Sequence, residues 1–169
     1  MEGSGKVLRI LVVCTGNLCR SPMAAVYLSH RLRQWQVPHE VQSAGIMAWP
    51  DRPASELARQ VVASSGLSLD GHRSRPLTAE LVVAADWVLV MEPWHRAWIA
   101  RHFPEHAAKT VLLGTFVDGA DDSVIPDPYG EDQAAYVLVW NLLRHALDAW
   151  LDNLLGSTKL DAFRASHSS

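Results

Sequence analysis

Cysteine is almost absent from this sequence: two in 169 residues, at positions 14 and 19. That excludes a secreted fold stapled by disulfides and points to a reducing, cytoplasmic setting. Long apolar runs are missing too. None approaches the ~18–20 residues that cross a bilayer, and the opening Met1-Glu2-Gly3-Ser4-Gly5-Lys6 lacks the apolar core of a signal peptide, so no membrane insertion is expected. Nor is there an excess of basic charge. Fifteen Lys and Arg face 18 Asp and Glu, a net −3, which argues against nucleic acid as a partner. Metal-ligand spacing is also lacking: His102 and His106 are four apart but straddle Pro104, and no cysteine or third histidine is suitably placed. No metal or cofactor is expected. No internal repeat appears, and 169 residues at 49% hydrophobic are enough for one domain with a real core.

What is present is concentrated near the start. An apolar run from Val7 to Val13 stops at Cys14-Thr15-Gly16-Asn17-Leu18-Cys19-Arg20-Ser21-Pro22. The run reads as a parallel strand buried on both faces. Ser21-Pro22 reads as a helix start, with Ser21 as N-cap and Pro22 at the first helical position. Between strand and helix lies a tight loop whose amides converge on one spot over the helix N-terminus, a setting suited to a phosphate. Gly16 and Asn17 are residue types that tolerate the left-handed backbone such a loop needs. A thiol there ionises readily and becomes a nucleophile. Arg20, five residues past the thiol, offers a planar fork for phosphate oxygens. Ser21 is also placed to hydrogen-bond the sulfur. Cys19 faces the same curled loop, close enough to suggest a disulfide with Cys14 that would trap an oxidised thiol reversibly.

The rest of the chain alternates strands and helices. A helix is expected from Pro22 to about Trp35, with Met23, Val26, Tyr27, His30 and Leu32 inward, and a strand over His39–Ala44. Helices follow over Ala54–Ser65, capped by Gly66, and over Thr78–Ala85. Asp86–Met91 and Lys109–Leu113 read as strands around a helix from Trp94 to Phe103. The last helix is expected over Glu131–Leu155, with an apolar stripe of Val137, Trp140, Leu143, Leu147, Trp150, Leu151 and Leu154, ended by Gly156. The core spans about residues 6–156, and 1–5 and 157–169 are expected to be flexible ends. Such alternation predicts an α/β fold: an open, mostly parallel sheet with helices on both faces. Ligands in these folds sit at the carboxyl ends of strands, where Cys14 falls.

A cysteine nucleophile working on a phosphate ester needs an acid for the leaving oxygen and a base for water. Pro126-Asp127-Pro128-Tyr129 offers a carboxyl on a backbone stiffened from both sides. Asp121 and Asp122 compete locally but lack that context, and a plain turn is the alternative for Asp127 itself.

The stretch CTGNLCRSP resembles the signature of the low-molecular-weight protein tyrosine phosphatases, and Asp-Pro-Tyr late in the chain is similar to their acid motif. The resemblance extends through Ser43-Ala44-Gly45 and Ala85–Met91 to nearly the whole chain. It implies four parallel strands in the order 2-1-3-4, with Cys14, Arg20 and Asp127 catalytic. It also implies substrate contacts by Thr15, Gly16, Asn17, Leu18, Cys19 and Ser21, with Trp49 and Tyr129 as walls of the slot. His72 would support the phosphate loop through Asn17 and Ser21; a surface histidine is the alternative for it, and a core-packed aromatic the alternative for Trp49. The implied partner is a phosphotyrosine protein, a bacterial tyrosine autokinase being one such, and the implied state a monomer or weak dimer. Two positions depart from the family pattern: Glu92 replaces the common Asp after Met91, and Gly130 replaces a second Tyr.

Three rivals remain. A protein-arginine phosphatase shares the fold, with Thr where Leu18 stands here. An arsenate reductase needs further cysteines, and none follows Cys19. A non-catalytic phosphate-binding module would need no nucleophile.

Overall fold

A computed structural model describes residues 6–118 and 121–166. Nine regular elements follow in chain order. They are β1 (Leu8–Cys14), α1 (Arg20–Gln34), β2 (His39–Gly45), α2 (Glu56–Ala63) and α3 (Ala79–Ala84), then β3 (Trp87–Val90), α4 (Pro93–His102), β4 (Thr110–Leu112) and α5 (Gln133–Ser166). The four strands form one parallel sheet in the order β2-β1-β3-β4. Both the α/β class and the strand order implied by the resemblance are therefore found.

The period-2 alternation of β1 explains how both its faces are buried. Ile10, Val12 and Cys14 point into a core with Met23, Leu28 and Leu32 of α1 and Trp140, Leu143, Leu147 and Leu151 of α5. Leu11 and Val13 point the other way, into a core with Val82 of α3, Val88 and Val90 of β3, and Ile99 of α4. Cys14, the last residue of β1, thus ends on the α1 side of the sheet. The register sets Cys14 beside Gly45 of β2 and Val13 beside Val90 of β3, so the loops leaving three strands meet at one end.

Helix boundaries differ from the sequence reading in ways that matter for the site. α1 begins at Arg20, not Pro22. Ser21 is therefore not an N-cap: its hydroxyl is held by Asn17 and Cys14, and Cys19 takes the cap position without a side-chain bond. Pro22 still fits, because its missing N–H lies in the first turn, where no intrahelical partner exists. On α1, Leu28 is fully buried, whereas Val26, Tyr27 and His30 are only half-buried. α5 starts two residues later than expected, with Asp132 accepting from the Ala135 amide at 3.1 Å. Its buried stripe includes Tyr136 and Val139, while Val137 is 41% exposed. Gly156 breaks it at φ 73°, after which the backbone is helical again to Ser166, where a frayed tail was expected. The expectation of flexible ends at 1–5 and 167–169 lies outside the described residues. Among those described, no helix is long and apolar enough to cross a membrane.

Candidate active site

Five residues, Thr15 to Cys19, join β1 to α1. Of the two residue types that tolerate a left-handed backbone, Asn17 adopts it, at φ 59°, and Gly16 does not. Asn17 pays for that conformation with a full set of partners. Its Nδ2 donates to Ser21 Oγ at 2.7 Å and to Ser43 Oγ at 3.0 Å, and its Oδ1 accepts from the Arg75 amide at 3.0 Å. Its carbonyl is 2.8 Å from Nε2 of His72. His72 therefore meets the loop at the Asn17 backbone, and among the described residues it has no hydrogen bond to Ser21. Burial lowers the pKa of His72, so the ring is neutral at pH 7, and Nε2 carries the proton that the carbonyl accepts.

Gly45 is required from behind. A Cβ there would lie 2.7 Å from the Thr15 carbonyl and 2.9 Å from the Asn17 amide. The loop thus rests directly on the end of β2, where Met47 N donates to Thr15 O at 2.8 Å.

Cys14 Sγ sits 2% exposed at the base of the loop. The Asn17 amide donates to it at 3.3 Å, and Ser21 Oγ lies 3.0 Å away. Ser21 Oγ accepts from Asn17 and keeps its own hydrogen available to the sulfur.

Arg20 is buried to 1% and leaves α1 across the cleft. Nη1 donates to Glu92 Oε2 at 2.7 Å and to the Ile125 carbonyl at 2.9 Å, and Nη2 lies 3.5 Å from Asp127 Oδ2. The segment bearing Asp127 is tied to the sheet by Ile125 N donating to Met91 O at 2.9 Å. Asp127 Oδ1 accepts from the Tyr129 amide at 3.1 Å, which closes a tight turn between the two prolines.

The cleft above the sulfur has a volume of about 250 Å³. Cys14, Thr15, Gly16, Leu18, Cys19 and Arg20 form its floor and one side; Trp49, Asp127 and Tyr129 complete it. Trp49 is 71% exposed and Tyr129 63%, so both are rims of the opening and neither packs in the core. Asn17, Ser21 and His72 lie behind the loop, outside the cleft lining.

The family whose sequence model matches the chain, over residues 9–160, is described as low molecular weight phosphotyrosine protein phosphatase. The chain belongs to this family. It is 40% identical over 146 residues to the low molecular weight protein-tyrosine-phosphatase Etp of Escherichia coli K12, covering 86% of this chain and 93% of that one. It is equally 40% identical over 147 residues to a protein-arginine-phosphatase of Geobacillus stearothermophilus, covering 86% and 93%. The crystal structure of the tyrosine phosphatase Wzb from Escherichia coli K30 in complex with sulphate superposes with a TM-score of 0.78 at 38% identity, covering 88% of this chain and 99% of that one.

Four residues of this phosphatase's cleft surroundings escaped the sequence reading. Glu92, noted there only as a departure, is the carboxylate partner of Arg20. His95 is fully buried beside Thr15 Oγ1, at 2.9 Å. Ser55 and Tyr136 lie near Cys19: Cys19 Sγ is 3.3 Å from Ser55 Oγ and 3.3 Å from Tyr136 OH. Burial pushes the Cys19 thiol up, outweighing both hydrogen bonds. Glu92 and His95 close a reciprocal capping box at the start of α4, but Glu-x-x-His is not the usual sequence signature of one, so nothing in the sequence flagged that pair.

Proposed function

We propose that the chain hydrolyses phosphotyrosine in proteins through a phosphocysteine on Cys14. One observation carries this reading: a sulfur hydrogen-bonded to the Asn17 amide and Ser21 Oγ, a buried arginine and a carboxylate share one small cleft, with Arg20 Nη2 3.5 Å from Asp127 Oδ2. In the first step Cys14 Sγ attacks phosphorus, the bond to the tyrosyl oxygen breaks, and Asp127 gives that oxygen a proton. In the second step Asp127 takes a proton from water, water oxygen attacks phosphorus, and the S–P bond breaks to release phosphate and the thiolate. Arg20 and the loop amides hold the phosphoryl oxygens in both steps. The Wzb relative was crystallised in complex with sulphate, which supports an oxyanion ligand for this chain as well.

Leu18 and the exposed pair Trp49 and Tyr129 favour a flat aromatic leaving group, since they line the cleft with apolar surface. The substrate is then a tyrosine-phosphorylated protein, such as a tyrosine autokinase, met in the cytoplasm by a monomer or weak dimer. The 40% identity to a protein-arginine-phosphatase keeps one second reading in play. Hydrolysis of p-nitrophenyl phosphate in EDTA, lost in Cys14→Ser while phosphate binding survives, is the expected result. Activity that persists in Cys14→Ser, or that EDTA removes, would overturn the mechanism. Peptides carrying phosphotyrosine or phosphoarginine separate the two substrates, and comparable kcat/KM on both would overturn the tyrosine assignment.

A further inference from the structure

The buried histidine behind the cleft has its tautomer set by its surroundings. His95 Nδ1 receives two backbone amides, Met91 N at 3.3 Å and Glu92 N at 3.1 Å. Nδ1 must therefore be the acceptor, and in a neutral ring Nε2 carries the hydrogen. Burial, reinforced by the charge of Arg20, lowers the pKa of the ring and keeps it neutral. Nε2–H then points to Thr15 Oγ1 at 2.9 Å, with the Glu92 carboxylate oxygen farther off at 3.9 Å.

Thr15 Oγ1 accepts a second hydrogen bond, from Arg20 Nη2 at 3.3 Å. A hydroxyl oxygen has two lone pairs and one hydrogen. With both lone pairs engaged, the hydrogen is left over, and among the described residues no protein atom accepts it. Thr15 borders the cleft next to the nucleophile, so the hydrogen has the cleft to face.

We infer that the Thr15 hydroxyl is a dedicated donor to a phosphoryl oxygen, and that His95 is the positioning residue that turns it there. This rests on reading the cleft as a phosphoryl-transfer site. His95 does not touch the substrate. It acts by occupying the lone pair that would otherwise let Thr15 rotate its hydrogen away. The arrangement also explains why a neutral, doubly anchored histidine is preferred beside Arg20: a protonated ring would set a second cation against the guanidinium.

Thr15→Val keeps the shape and removes the donor; Thr15→Ser keeps the donor. Vanadate inhibition and calorimetric binding of inorganic phosphate should weaken about 10–100-fold in Thr15→Val, as for one hydrogen bond to a charged acceptor. In Thr15→Ser both should stay near the unmutated values. His95→Asn places its Oδ1 where Nδ1 was, so the backbone amides stay capped, but it cannot reach Thr15. It should lose part of the same affinity, and Thr15→Val/His95→Asn together should lose no more than Thr15→Val alone. Should His95→Asn fail to fold, ring-nitrogen NMR of the unmutated protein takes its place, with the proton expected on Nε2. Unchanged vanadate and phosphate affinity in Thr15→Val, full additivity of the pair, or a proton on Nδ1 would overturn the inference. Phosphate binding reads Thr15 even without turnover, so absent hydrolysis by the unmutated protein would count against the phosphatase mechanism and not against this donor.

Discussion

Glu92 Oε2 accepts from Nη1 of Arg20 at 2.7 Å, across 72 residues of sequence, and Arg20 is only 1% exposed. A buried guanidinium needs counter-charge, and Glu92 supplies it before any phosphate arrives. Asp127, half exposed at 3.5 Å, adds less. The substrate phosphate is therefore a third anion on a cation already neutralised, which leaves Arg20 fixed in place rather than tightly bound to its ligand.

Glu92→Gln should accordingly destabilise the free protein, by about 1–3 kcal/mol once the partial exposure of Glu92 is allowed for. Saturating phosphate should narrow the gap, because the ligand restores the missing charge. Urea unfolding with and without phosphate measures both effects; an equal loss in the two buffers would contradict the role given to Glu92.

Asp127→Ala should slow aryl phosphate hydrolysis by roughly 10²–10⁴-fold, the usual scale for losing a general acid–base group. The loss should shrink for leaving groups of low pKa, which depart without a proton. A series of substituted phenyl phosphates gives the dependence, and a flat, leaving-group-independent effect would remove Asp127 from the acid role.

Leu18 lies in the cleft lining, where its side chain offers apolar surface to a phenyl ring and no hydrogen bond to a guanidinium. Leu18→Thr should shift the ratio of kcat/KM on phosphotyrosine and phosphoarginine peptides towards arginine. A ratio that does not move would place the selectivity elsewhere, with Trp49 and Tyr129 the next residues to vary.

His95 has its pKa lowered to about 3, first by burial and then by Arg20, against an ordinary value near 6.5. Below pH 6.5 the unfolded chain binds a proton that the folded protein refuses. Stability from this group is thus complete above pH 6.5 and falls as the pH drops towards 3, by about 1.4 kcal/mol for each unit. Denaturation profiles between pH 7 and 4 should show this component in the unmutated protein and lack it in His95→Asn.

Cys19 is expected to trap oxidised Cys14: the Cys14 sulfenic acid accepts the Cys19 sulfur, a disulfide forms and water leaves. Because burial raises the Cys19 pKa, trapping should quicken as pH rises. After brief peroxide, thiol should restore the unmutated enzyme and restore Cys19→Ser less completely. Equal recovery of both would deny Cys19 that protective part.

The loop and the Asp127 segment were legible because their groups are contiguous in sequence. Cys14 to Arg20 and Pro126-Asp127-Pro128 each carry their groups within a few residues, and the aliphatic run of β1 announces a strand buried on both faces. Periodicity also located the start of each helix to within a few residues, but neither the identity of its first turn nor the helical backbone beyond Gly156. Ser21 looked like a cap because Ser-Pro is a cap by propensity. In the fold its hydroxyl is taken by Asn17 and Cys14, so the helix starts at Arg20 instead.

What only the tertiary structure decided is which distant residues meet at that loop. β1 lies between β2 and β3, with Val13 beside Val90, so the residues just after β3 arrive next to those just after β1. That neighbourhood brings Glu92 to Arg20 and His95 to Thr15, and the packing of α5 brings Tyr136 to Cys19. Hydrophobic pattern fixes which face of an element is buried; it does not say which element will cover it. Strand order does, and it follows from packing among segments far apart in the chain.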